Sequence, residues 1–166
     1  METHRKRGCV CCSSACVAII KVQIDMDTIF DKIIRKEIPA EILYEDDRVI
    51  AFLDIFPVNP GHTLFVPKES CENILCTSDE ALVHLFSVAK KLAPAILQSV
   101  GATDFNFNTN NGPIAGQVIM HTHFHLIPRF ENDGHAMWGH QNATSEELAE
   151  LGKRIRLSVD EMRASK

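Results

Sequence analysis

No apolar run in this chain of 166 residues approaches membrane-spanning length, so it reads as a soluble protein with no membrane partner. Positive charge is also scarce. Lys and Arg number 17 against 22 Asp and Glu, for a formal charge of -5, which disfavours a nucleic-acid partner. Neither G-x-G-x-x-G nor G-x-x-x-x-G-K-[ST] occurs, which removes the dinucleotide-binding and P-loop architectures. Repeats and low-complexity tracts are absent.

Cysteine is nearly missing from the body. Cys9, Cys11, Cys12 and Cys16 crowd the start, leaving Cys71 and Cys76. A secreted domain stapled by disulfides would spread them through the fold, so the body reads as intracellular. Residues 1–25 have a character of their own, with four basic or His positions (His4 to Arg7) before a small-residue stretch. A disordered tail, sequence upstream of a start at Met26, a targeting or acylated segment, and a Cys-rich metal site all remain open for this extension. The expected location is the cytoplasm, with a nuclear share and organellar targeting left open by the extension.

What the chain does have is 45% apolar residues, enough for one domain with a real core. Thr28 or Asp27 can cap a short helix through about Lys36, ended by Pro39. Ile42 to Glu45 and Arg48 to Asp54 read as strands joined by a turn at Asp46-Asp47. His62 to Val66 makes another strand. A long helix runs from Ser78 to about Val100, with Pro94 inside it. Asp104 to Asn108 forms a strand, and Thr144 caps a last helix to about Met162. Short turns between strands, with helices inserted, predict an α+β domain on an antiparallel sheet.

The most informative segment is His121-Thr122-His123-Phe124-His125-Leu126-Ile127. In an extended chain, alternate side chains share a face. His121, His123 and His125 therefore line one side, while Thr122, Phe124 and Leu126 can anchor the other. Imidazole is a nucleophile, a proton carrier and, when charged, a phosphate ligand near neutral pH. Two such rings could instead ligate zinc, with His62 completing the set. The preceding loop, Asn110 to Gln117, offers backbone amides at its glycines and amide donors from Asn110 and Gln117, which suits an anion better than a cation.

The H-x-H-x-H run with two apolar residues after it resembles the motif of the histidine triad superfamily of nucleotidyl hydrolases and transferases. Asp27 to Phe30, Ile33 to Pro39, Ala51 to Ile55 and Gly112 to Gln117 look like its nucleoside phosphoramidase branch. The similarity runs from about Asp27 to Trp138. It implies a five-stranded antiparallel sheet with two main helices, paired into a homodimer with a ten-stranded sheet. The domain would span 26–140, followed by a C-terminal helix and tail over 141–166.

The resemblance also implies roles. His123 would attack the α-phosphorus of a purine nucleoside 5'-phosphoramidate or adenylate, an AMP or GMP conjugate, while His121 and His125 bind and orient the phosphate. Asp54 would take the ribose hydroxyls. Phe30, Ile33, Ile38, Phe52 and Ile55 would clamp the purine, and Asn110, Gly116 and Gln117 would face the phosphate. Val118 stands where many members of this branch have Ser, so its backbone N–H remains but a hydroxyl is missing. Some relatives hold a structural zinc where this chain has Thr28, Asp31 and Ser70, so neither metal nor cofactor is expected. Hydrolysis of dinucleoside polyphosphates, or nucleotide binding with vestigial catalysis, are the alternatives.

Overall fold

Thr28 opens the first helix by a reciprocal cap. Its hydroxyl accepts from the Asp31 backbone N–H at 3.2 Å, and the Asp31 carboxylate accepts from the Thr28 N–H at 2.9 Å, satisfying N–H groups that a helix start leaves unpaired. In the computed structural model, which describes residues 27–136 and 138–165, this helix is α1, Ile29–Ile34. It is shorter than the sequence pattern suggests: Lys36 has a φ of 63°, so the helix has ended before it. The cysteine-rich stretch, residues 1–25, lies outside the described residues.

Two compact units follow in the chain, one ending at Arg129 and the other starting at Phe130. The first carries β1 (Ile42–Glu45), β2 (Val49–Leu53), β3 (Thr63–Pro67), α2 (Asp79–Val100), β4 (Asp104–Asn108) and β5 (Phe124–Arg129). The five strands form one antiparallel sheet in the order β1-β2-β3-β5-β4. Asp46 sets the first hairpin, its Oδ1 accepting from the Arg48 and Val49 N–H groups at 2.8 Å each.

Alternation sorts the central strands into two layers. Val49 and Ala51 of β2, Phe65 of β3, and Phe124 and Leu126 of β5 pack with Leu85, Val88, Ala89 and Ala93 of α2. Ile50 and Phe52, with Leu64 and Val66, pack instead with Phe30 and Ile33 of α1. Burying a side chain such as Phe65 or Leu126 contributes about 2 kcal/mol, so a one-residue register slip would be heavily opposed. With Phe124 and Leu126 committed to the α2 layer, His125 belongs to the α1 face, where it pairs in register with Leu64.

The second unit contains α3, Ser145–Ala164, which Thr144 and Glu147 cap reciprocally as Thr28 and Asp31 do α1. Its Leu148, Leu151, Ile155 and Met162 are exposed. The described chain thus has the two main helices expected of the domain, α1 and α2, and the expected C-terminal helix, α3. No described helix is long and apolar enough to cross a membrane.

Candidate active site

Strand pairing begins at Phe124, so two of the three histidines lie ahead of the ladder rather than on it. Side chain and backbone of Thr122 hold them in place: its N–H and hydroxyl both donate to the Cys71 carbonyl, at 2.7 and 3.1 Å, and its Oγ1 lies 2.7 Å from Thr77 Oγ1. Cys71 and Cys76 are joined by a disulfide in the turn before α2. With Thr122 turned toward that turn, His121 and His123 face Phe30, whose ring lies edge-on to both, with centroids 6.1 and 5.1 Å away.

His123 is buried, and its Nδ1 sits 2.7 Å from the carbonyl oxygen of His121. A carbonyl can only accept, so Nδ1 carries the proton and Nε2 keeps its lone pair. Burial is the largest influence on this ring and lowers its pKa below the ordinary 6.5. The bond to the His121 carbonyl and the charge of Asp54 oppose that effect, while a charged His121 would add to it. The result is a neutral imidazole with an available nitrogen at neutral pH.

His125 lies beside it, ring centroids 5.0 Å apart. The Nδ1 of His125 meets Nε2 of His62 at 2.9 Å. His62 Nδ1 in turn accepts from the Val58 N–H at 3.2 Å. This order puts the His62 proton on Nε2, makes His125 Nδ1 an acceptor and leaves the His125 proton on Nε2. Burial, then the neighbouring His123 and His62, lower the pKa of His125 to about 4, against the pull of Asp54. His62 itself is pushed down by burial and drawn up by Asp54.

Asp54 ends β2 as a turn acceptor, its Oδ1 taking the Phe56 N–H at 2.9 Å, while Oδ2 lies 3.6 Å from His62 Nδ1. Donor atoms of Asp54, His62 and His125 fall within 4.8 Å of one another, and among the described residues this is the group that could hold a metal ion. Both His62 nitrogens are already engaged, so ligation there would break one of its hydrogen bonds.

The loop before the triad is braced from within. Gly112 and Gly116 adopt φ of 90° and 87°, which a side chain would disfavour. Gln117 is buried beneath them: Oε1 accepts from the Gly112 N–H at 2.7 Å, and Nε2 donates to Glu72 O at 2.6 Å and Ile119 O at 3.0 Å. Its amide therefore shapes the loop and has no remaining hydrogen for a ligand. Asn110 Nδ2 donates to Gly116 O at 3.3 Å, and Asn111 Oδ1 accepts from the Ile74 N–H at 3.1 Å. Val118, just beyond, is 87% exposed.

The apolar set divides. Phe30, Ile33 and Phe52 are core residues, and Ile38 packs against their cluster, whereas Ile55 is 74% exposed. Phe30 serves two surfaces, the core and the histidine rings. Of the supporting residues, His62, named from the sequence as a candidate third zinc ligand, is buried and bonded to His125, whose ring it orients. The Cys71–Thr77 turn and the aim of Asp31 toward His121 had no sequence signal, because those partners are far apart in the chain.

A HIT domain profile matches residues 35–132. A HIT-like protein of Methanocaldococcus jannaschii is 48% identical over 106 residues, 64% of this chain and 81% of its own. An adenosine 5'-monophosphoramidase of Schizosaccharomyces pombe is 37% identical over 133 residues, covering 78% of this chain and 96% of that protein. Among solved structures, a histidine triad nucleotide-binding protein from Candida albicans superposes with a TM-score of 0.74 at 31% identity, over 81% of this chain and 99% of its own. Fold, histidine geometry and these matches agree: the chain belongs to the HIT, or histidine triad, family.

Proposed function

We propose that the protein is a purine nucleotide hydrolase that cleaves P–N bonds of adenosine 5'-monophosphoramidate-type substrates through a nucleotidyl-histidine on His123. The observation carrying this reading is the 2.7 Å bond from His123 Nδ1–H to the His121 carbonyl, which leaves Nε2 unprotonated beside the His125 ring. A neutral, positioned imidazole needs no separate base to attack phosphorus.

The two half-reactions balance as follows. The His62–His125 pair enters with one extra proton, taken up when the anionic substrate seats. His123 Nε2 bonds to the α-phosphorus, the P–N bond breaks, and His125 gives its Nε2 proton to the departing amine. Water then attacks the same phosphorus, His125 recovers a proton from it, and the electron pair of the P–N(His) bond returns to His123. The Gly112, Ala115, Gly116 and Gln117 N–H groups bond within the glycine loop, so the Val118 N–H just beyond it is the donor suited to the charge on the phosphoryl oxygens. Asp54, at the end of β2, is suited to the ribose hydroxyls.

The test is to mix the protein with an activated AMP ester and locate a phosphorus-bonded adduct by mass spectrometry. An adduct on His123 is expected. Its absence, or undiminished turnover by His123→Ala, overturns the reading. Val118, exposed and without a hydroxyl, favours a second reading, hydrolysis of dinucleoside polyphosphates. Relative rates on an AMP–amine conjugate and a diadenosine polyphosphate separate the two.

A homodimer belongs to the same proposal. Strand β4 has one neighbour in the sheet, β5. Beside it lies an apolar groove of about 380 Å³, lined among others by Phe86, Pro94, Leu97, Phe105 and Phe107. A second copy adding its own β4 would pair the edge and cover the groove.

A further inference from the structure

His121 has no exposed surface, and its two nitrogens meet different partners. Nε2 lies 2.9 Å from the Pro67 carbonyl of β3, so Nε2 must carry a proton. Nδ1 faces Oδ1 of Asp31, from α1, at 3.4 Å, within ion-pair range but long for a hydrogen bond. Among the described residues, Nδ1 is the one buried side-chain nitrogen or oxygen without a hydrogen-bond partner.

A ring protonated only on Nε2 would leave a bare, partly negative nitrogen 3.4 Å from a carboxylate oxygen in a buried site, which is electrostatically unfavourable. A second proton on Nδ1 removes the conflict and turns the facing atoms into a charged pair. Asp31 is fixed for this purpose from the other side, because its Oδ2 is already taken by the Thr28 N–H at 2.9 Å and hydroxyl at 2.5 Å. One carboxylate oxygen caps the helix while the other faces the triad.

We propose that Asp31 is a positioning residue for the reaction centre, holding His121 as a doubly protonated imidazolium that places a fixed positive charge next to the nucleophile His123. Burial works against the Asp31 carboxylate, yet the Thr28 bonds and the His121 ring keep it below its usual range, in accord with the pair. The groups facing the ring are Asp31 from α1, the Pro67 carbonyl from β3 and His123 along its own segment, with the Phe30 edge between. The fixed charge does two things. It keeps His123 unprotonated, and it attracts the phosphate that His123 attacks.

The kinetic role rests on the reading of His123 as nucleophile, whereas the charge on His121 does not. Long-range proton–nitrogen NMR on the full chain at neutral pH decides the charge, with the ring assigned by its loss in His121→Asn. Two protonated nitrogens are expected in the wild type and in Thr28→Ala, and one, on Nε2, in Asp31→Asn. Adduct formation from an activated AMP ester should be at least about tenfold slower in Asp31→Asn. Its acid limb should move to higher pH, because His123 without the cation beside it protonates more readily. An unprotonated Nδ1 in the wild type overturns the proposal, even if Asp31→Asn fails to fold. So does an unchanged ring in a folded Asp31→Asn. Absence of any adduct in the wild type would overturn the hydrolase reading and leave the charged pair to the spectrum.

Discussion

His62 Nε2 donates to His125 Nδ1 across 2.9 Å, linking a residue at the entrance to β3 with the last member of the triad. The link sets which nitrogen of His125 can give a proton to a substrate. Replacing His62 with Ala should cut turnover of an AMP–amine conjugate by roughly 10²-fold, the low end for losing proton transfer, with KM changed much less. Steady-state kinetics check this, and an unaltered kcat would mean that His125 needs no orienting partner.

Acid should weaken the fold in a defined window. His125 titrates near 4 when folded and at its ordinary 6.5 when unfolded. Between those values the unfolded chain holds a proton that the folded chain lacks, so stability rises with pH there. It should therefore fall as pH drops from 6.5 toward 4, with His62 and His123 acting in the same direction. Thermal melts across this range should show the slope, reduced in His125→Asn. A flat profile in the wild type would contradict the buried, neutral rings.

Gly61 precedes His62 at a φ of 83°, and an added Cβ would come within 3.0 Å of Val100 Cγ1 and 3.2 Å of Pro128 Cγ. Gly61→Ala should cost about 1–3 kcal/mol and displace His62, so melting temperature and turnover should fall together. Full activity in a destabilised variant would separate the turn from the site.

Gln117→Leu keeps the volume of the buried side chain but strips partners from the Gly112 N–H and from the Glu72 and Ile119 carbonyls. Each group left without a partner costs about 1–3 kcal/mol. Denaturant unfolding should register the loss, and calorimetry should show weaker AMP binding as the loop loses its shape. Unchanged affinity would exclude this loop from phosphate binding.

Much of the fold was legible locally. The caps at Thr28, Ser78 and Thr144, the turn at Asp46 and the strand alternation through Val49–Leu53 and Phe124–Arg129 all follow from neighbouring residues. Helix α1 ended early because Lys36 leaves the helical region, which apolar spacing does not register. The site was legible in its residue types but not in its wiring. Periodicity placed His121, His123 and His125 on one strand, whereas Thr122 anchoring to Cys71 stops the ladder short and leaves only His125 paired within it.

The amino-acid order alone determined the antiparallel α+β architecture and the grouping of three imidazoles behind a glycine loop, because alternation, caps and turns depend on contacts a few residues long. Only the folded chain decided which nitrogen of each imidazole bears a proton. Those protons are assigned by Val58, His62, Pro67 and the His121 carbonyl. Hydrogen-bond direction depends on what sits opposite an atom in space, and for His62 and His125 that partner is 63 residues away in the chain.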